Sequence, residues 1–532
     1  MRILTFFLIA GVILSCTPPT YDLIIRDGLV FDGRGAEGTI TDIAINADKV
    51  VRIGNLGTAQ STREINAQGL VVSPGFIDIH THLDPILRLS NCESHLRQGV
   101  TTALGGPDGG GPWPFDAYLD TLNAIGVGMN VGFLVGHNVV RSNVMQLDNR
   151  PPSPTELEAM KSQIALAMEQ GAFGISTGLK YLPGTFSKVD EVIDLSKVAA
   201  DYGGFYTSHL REEGLGLLAG VREAIQIARD AGIPVVLTHH KVVGKPMWGA
   251  SKKTTALVDS ARLAGLDVRI DQYPYTASHT GIGILIPSWA RAGGNGAFRQ
   301  RIQDPLLRDS IKQQILFNII NDRGGADLKR VQFSRVRWDS TLEGKTLYDW
   351  CIKEGLEPSL ENGADLVIQA QYRGGANCIF HAMDQDDVNR IMQHPYTAIA
   401  SDGRLNELGD GHPHPRAYGT FVRVLDKYVK QDSVLSLPEA IRKMTSLPAE
   451  RMGLDNRGLI KVGYQADITI FDQKAIKEMA TFTHPHQYPK GIEYVLVNGQ
   501  LAIEKSVFQG IKAGAVLLGP GKKHNKPNVH DD

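Results

Sequence analysis

Residues 74–82 read PGFIDIHTH, an apolar run that closes on His80 and His82. Side chains on a strand alternate between faces, so imidazoles two residues apart share one face at its end. Working outward, seven further runs of the same style follow: GVTTALGG from Gly99, NVGFLVGH from Asn130, AFGISTGLKY from Ala172, GGFYTSHLR from Gly203, IPVVLTHHK from Ile233, LDVRIDQYPY from Leu266 and TAIASDG from Thr397. Helical stretches separate them. In SPTELEAMKSQIALAMEQG, Ser153 reads as an N-cap and Gly171 stands just past the last turn. Strands alternating with helices predict a parallel α/β fold, and eight strands is the number that closes a (β/α)8 TIM barrel.

The barrel is expected over 73–445. The connection between strands seven and eight, about 281–394, is far longer than a βα loop and holds helix-like text such as DPLLRDSIKQQILFNIIND. It reads as an inserted subdomain on the face where barrel active sites lie. The flanks, 21–72 and 446–510, are short strands broken by Gly-bearing turns, and together they are expected to build one composite β-sandwich. A flexible tail is expected over 511–532.

Composition narrows the function. The 532 residues are 42% apolar with a net charge of −2, which fits a chain that buries a core. With 55 basic against 57 acidic side chains there is no basic footprint for nucleic acid. One long apolar run, Ile3 to Leu14, follows Arg2; its length suits a secretory signal rather than a spanning helix. Ile13-Leu14-Ser15-Cys16 resembles a bacterial lipobox, so 1–16 is expected to be a lipoprotein-type signal with lipidation at Cys16. The alternatives are an uncleaved anchor or a plain signal peptide. Either way the catalytic part is expected to be exported to the bacterial cell envelope, facing the periplasm, with membrane contact only through the anchor. Cys92, Cys351 and Cys378 are widely spaced and imply free buried thiols rather than a disulfide framework.

The strand ends carry the chemistry: His80 and His82, Asp108, Lys180, His209, His239 and Asp402. A His-x-His pair alone says little, since 412/414 and 484/486 are also such pairs. Those two are His-Pro-His in loop-like sequence and read as solvated or supporting histidines, whereas 80/82 ends an apolar strand. The Gly-rich run at 105–111 lacks the Gly-Lys-Ser/Thr of a phosphate loop and reads as a flexible βα loop.

PGFIDIHTH, the single His residues ending strands five and six, Ser-Asp-Gly on strand eight and the closing LPAERMGLDNRGLIKVGYQADITIFD resemble the amidohydrolase superfamily, from about Tyr21 to Val507. STGLKYLPG at 176–184, SHLREEG at 208–214, THHK at 238–241, DQYPYTA at 271–277 and HPRAYGTF at 414–421 are similar to its D-aminoacylase (N-acyl-D-amino-acid deacylase) branch. The resemblance implies a zinc site of His80, His82, His209, His239 and Asp402, with one or two ions per chain. Zinc lowers the pKa of bound water toward ~7 and so provides a nucleophile for a linear amide. Asp402 is implied as the catalytic residue, taking the proton and passing it to the leaving nitrogen.

Where the deacylases carry a Cys that bridges the metals, this chain has Asp108. The expected bridge is a carboxylated Lys180, as other amidohydrolases use at that strand end. Asp108 is the second candidate, as metal ligand or support, and a one-metal site the third. For the substrate's α-carboxylate the resemblance implies Lys241, Tyr273 and Arg416, with His279 where the branch usually has Ser. Tyr275 reads as an ordinary strand aromatic. The expected partner is a small N-acyl-D-amino acid or a small peptide ending in a D-residue. A cyclic amidase of the dihydroorotase or hydantoinase type is the alternative within enzymes, and an envelope binding protein without catalysis the alternative outside them. The sequence leaves the oligomeric state open.

Overall fold

A computed structural model describes residues 20–323 and 325–524 of the chain, so Cys16 and the signal segment lie outside the described residues. The fold is α/β. Strands Phe76–Asp78, Val100–Gly105 and Asn130–Phe133 form one parallel run, and Val135–Gly136, Gly174–Gly178, Phe205–His209, Val235–Leu237, Val268–Gln272 and Thr397–Ile399 form another. Each expected strand position is occupied, but the third is split at Leu134. Backbone hydrogen bonds join the two runs at both seams. Asp402 N donates to His80 O at 2.9 Å and His82 N to Gly403 O at 2.7 Å; Leu134 N donates to Gly105 O at 3.0 Å. Local signals match the text: Ser153 and Glu156 form a reciprocal capping box on the helix Pro154–Gln170, and Gly171 ends it in the left-handed region.

Both chain ends meet in one nine-stranded sheet. Val71–Pro74 pairs antiparallel with Ile468–Phe471, which joins the N-terminal strands to the C-terminal ones. Leu23, Ile25, Ile43, Val72, Ile468 and Ile470 pack as the core of this module.

The connection after strand seven has its own sheet, Ser278–Gly281, Val331–Arg335 and Asn377–Phe380, and its own apolar core around Ile315, Phe333, Trp350 and Phe380. Its extent corrects the expected 281–394. Helix Gln385–Gln393 sends Val388, Ile391 and Met392 into the main core, because its apolar stripe faces the parallel strands. The expected tail is corrected too. Val131 N donates to Ala515 O and Leu517 N to Val131 O, so the chain around 513–519 lies against the third strand. Gly514 permits this approach, since a Cβ there would run into the Met129 carbonyl. Cys92, Cys351 and Cys378 are buried and free, as expected.

Candidate active site

The strand ends open into a cleft of about 890 Å³. One donor atom each from His80, His82, Asp108 and Asp402 lie within 4.8 Å of one another, and so do those of Asp108, His209 and His239. Asp108 belongs to both groups. Its Oδ1 lies 3.2 Å from His239 Nε2 and 3.7 Å from His80 Nε2. Its Oδ2 lies 3.6 Å from His209 Nδ1 and 3.7 Å from His82 Nε2. Both ring nitrogens of His80 and His209, Nε2 of His239 and Oδ1 of Asp108 are buried without a hydrogen-bond partner. Such atoms are costly to bury unpaired. Divalent ions taking nitrogen and oxygen ligands would satisfy those turned toward the cluster, His80 Nε2, His209 Nδ1, His239 Nε2 and Asp108 Oδ1, so the donor set fits zinc.

Backbone conformation places these groups. Asp108, His239 and Asp402 adopt left-handed φ values of 55°, 37° and 47°. Such conformations cost about 1–3 kcal/mol each and persist where the surroundings enforce them. His239 N donates to Asp271 Oδ1 at 2.5 Å. The Gly-rich loop is pinned rather than loose: Ser176 Oγ accepts from Gly109 N at 3.1 Å and donates to Gly106 O at 2.6 Å, which fixes the turn bearing Asp108.

Lys180 stands apart from both donor groups. Its Nζ donates to Glu212 Oε2 at 2.7 Å and lies 3.9 Å from Asp322 Oδ2, and it does not line the cleft. An ammonium held by carboxylates is the opposite of the neutral, desolvated amine that carbamylation requires. Asp108 is the residue common to both donor groups.

Lys241 lines the cleft. Its Nζ is buried and contacts Glu213 Oε1 at 2.5 Å, His239 Nδ1 at 2.7 Å and His239 O at 3.0 Å. An ammonium so held fixes His239 and Glu213 at the cleft wall. Arg416 also faces the cleft. It gives one nitrogen to Asp402 Oδ2 at 2.8 Å and stacks over Tyr273, whose hydroxyl is buried and unpartnered. His279 also lines the cleft, with Nε2 3.0 Å from Ser334 Oγ; burial and Arg416 push it down to about 3. His414 accepts from Arg416 N at 3.1 Å, a supporting role as expected, and Tyr275 donates to Glu478 at 2.7 Å away from the cleft.

Charge reinforces the arrangement. Burial opposes ionisation of Asp108, yet His239, His80 and His209 hold its carboxyl well below the usual range. Burial likewise opposes Asp402, where Arg416 and His82 prevail and keep it ionised. Burial and Lys241 push His239 down, but Asp108 and Glu213 outweigh them and raise it to about 10. A pocket that draws positive charge this strongly is one that a divalent cation can occupy.

Sequence reasoning missed three buried participants. Glu213 lies 3.5 Å from His209 Nε2 and 3.3 Å from His239 Nδ1, and so orients two imidazoles; its i+4 spacing from His209 was the available signal. Asp271 Oδ2 lies 3.7 Å from His80 Nδ1. Arg323, from the inserted segment, also lines the cleft, and nothing in its local sequence marks it.

The amidohydrolase family profile matches residues 63–281 and 355–503. The chain belongs to the amidohydrolase family. Within it, the chain is 33% identical to a D-aminoacylase of Alcaligenes xylosoxydans xylosoxydans over 93% of its own length and 97% of the relative's. It is 36% identical to an N-acyl-D-glutamate deacylase of the same organism, over 90% and 93%. Among solved amidohydrolases, the N-acyl-D-glutamate deacylase from Bordetella bronchiseptica, complexed with zinc and a phosphonate mimic of the tetrahedral intermediate, superposes with a TM-score of 0.80. It is 31% identical and covers 94% of this chain and 100% of its own.

Proposed function

We propose that this amidohydrolase is a zinc-dependent N-acyl-D-amino-acid deacylase that cleaves a linear amide. The observation that carries this reading is Asp108 shared between two donor groups beside the Asp402–Arg416 pair. We read the two parallel runs, joined at both seams, as one closed (β/α)8 barrel with the segment after strand seven inserted at its mouth. His80, His82 and Asp402 would hold one ion, His209 and His239 a second, and Asp108 would bridge them. Zinc bound there supplies Lewis acidity and lowers the pKa of a coordinated water.

The chain's own residues do the rest. Asp402 turns Oδ1 toward His82 and the donor cluster while Arg416 holds Oδ2. A carboxylate so fixed can accept a proton from the attacking water and return it to the leaving nitrogen. Arg416's remaining nitrogens and the Tyr273 hydroxyl are placed to bind the α-carboxylate, which fixes the amide over the donor cluster. The carboxylated Lys180 that would favour a cyclic amidase has no support, since Lys180 is engaged elsewhere.

The test is hydrolysis of paired N-acetyl-D- and N-acetyl-L-amino acids by zinc-loaded protein. Turnover confined to the D-series is expected; zinc-loaded protein inert toward both series would overturn the reading. We further propose an envelope lipoprotein anchored through Cys16, a reading that the lipobox-like text supports. Cys16→Ser is expected to abolish fatty-acid labelling and release the protein from membranes, and persistent labelling would refute the anchor.

A further inference from the structure

Lys241 and Arg416 both donate hydrogen bonds to carboxylates, and the cleft holds a third buried cation, Arg323, that does not. Arg323 is 2% exposed, and its Nε and Nη1 are buried without a hydrogen-bond partner. Its nearest carboxylate oxygen, Asp322 Oδ2, lies 3.7 Å from Nε, beyond hydrogen-bond reach. The residue lines the cleft, as do Arg416 and Tyr273. Arg323 also falls between the two stretches matched by the family profile.

A guanidinium withdrawn from water with a 3.7 Å ion pair to Asp322 and no hydrogen bond from Nε or Nη1 is costly, and a bound anion relieves that cost. One α-carboxylate on Arg416 and Tyr273 leaves that cost unrelieved. We propose that Arg323 is a specificity-determining residue that binds a second carboxylate, so that the preferred substrates are N-acyl-D-amino acids with acidic side chains. This rests on the deacylase reading above. The planar fork of Arg323 suits bidentate contact with a carboxylate and not with a neutral amide.

N-acetyl-D-glutamate and N-acetyl-D-glutamine differ by one charge at nearly constant shape, so they form the discriminating pair. The zinc-loaded enzyme is expected to favour the glutamate by about 10- to 100-fold in kcat/KM, the scale of one charge-assisted contact. Arg323→Gln should abolish that preference while changing turnover of the glutamine and leucine analogues less than about threefold, and Arg323→Lys should restore part of it. Equal kcat/KM for the two substrates in the unaltered enzyme would overturn the proposal. So would a loss in Arg323→Gln that falls equally on all substrates, which would assign Arg323 to the α-carboxylate or to the fold. Calorimetric binding of the same pair reads the proposal separately from catalysis. If no D-substrate is turned over, the deacylase reading fails, and a charge preference in binding that Arg323→Gln removes still upholds Arg323 as the carboxylate site, whereas its absence refutes it.

Discussion

At the end where the chain enters the parallel strands, Asp267 accepts from Arg262 and Arg269 at 3.0 Å and from Arg451 at 2.8 Å, and Arg269 also reaches Glu450. Beside them Lys443, fully buried, donates to the carbonyls of His394 and Thr397. At the opposite end of the same strands, the imidazoles of His80 and His209 find no hydrogen-bond partner, nor do Oδ1 of Asp108 and Oδ2 of Asp271. Both ends are buried and rich in charge. The first end leaves only scattered atoms unpaired, Nε of Arg262 and Arg451, Nδ1 of His394 and the Thr397 hydroxyl, while the second gathers metal-ligand atoms about one point and needs a ligand to complete it. Unpaired polar groups gathered at one place therefore locate function where mere abundance of charge does not.

This contrast can be broken from either end. The largest effect is expected at the incomplete end: Asp402→Asn should lower kcat by about 10²–10⁴-fold with the fold intact, as removal of a proton-transfer group does. Circular dichroism beside steady-state kinetics checks it, and near-normal kcat would remove Asp402 from the chemistry. Next, Glu213→Gln should weaken zinc affinity by about 10–100-fold, the cost of losing a partner that orients metal-binding imidazoles. Chelator competition reads this directly, and unchanged affinity would make Glu213 merely structural.

At the first end the sign of the experiment reverses. Asp267→Asn should cost about 1–3 kcal/mol of stability through three weakened arginine contacts, yet leave kcat/KM unchanged. A lower Tm with full activity is the expected result; lost activity at unchanged Tm would blur the distinction between the ends. The smallest effect concerns pH. Burial pushes Lys443 down to about 8, against the pull of Glu439, from an ordinary value of 10.5. Between those values the unfolded chain holds the proton and the folded chain releases it, so folding stability rises with pH across that window. Relative to Lys443→Met, the unaltered protein should gain about 1–2 kcal/mol between pH 8 and 10. A constant difference across that range would contradict the account.

Much of this was legible in the sequence, for identifiable reasons. Period-2 apolar runs ending in His or Asp marked the strand ends, and the strand order brought His80, His82, His209, His239 and Asp402 together. The choice between Asp108 and Lys180 was not legible. Both follow strand ends, and only the pinned turn at 105–109 and the Glu212 contact show which one enters the cluster. Lys241 looked free because the carboxylate that occupies it, Glu213, lies 28 residues away. Arg323 was hidden for the same reason at greater range: its place is set by the folding of a long connection, not by a local pattern. The docking of 513–519 depended on a backbone approach that a lone glycine signals only weakly.

Asp108, not Lys180, is shared by the two donor groups. The direct measurement is zinc content and kcat/KM of Asp108→Ala and Lys180→Ala, purified side by side. Asp108→Ala is expected to lose bound zinc and about 10²-fold or more in activity, while Lys180→Ala keeps its zinc and stays within about threefold of the unaltered enzyme. Full zinc and activity in Asp108→Ala, with both lost in Lys180→Ala, would contradict the account.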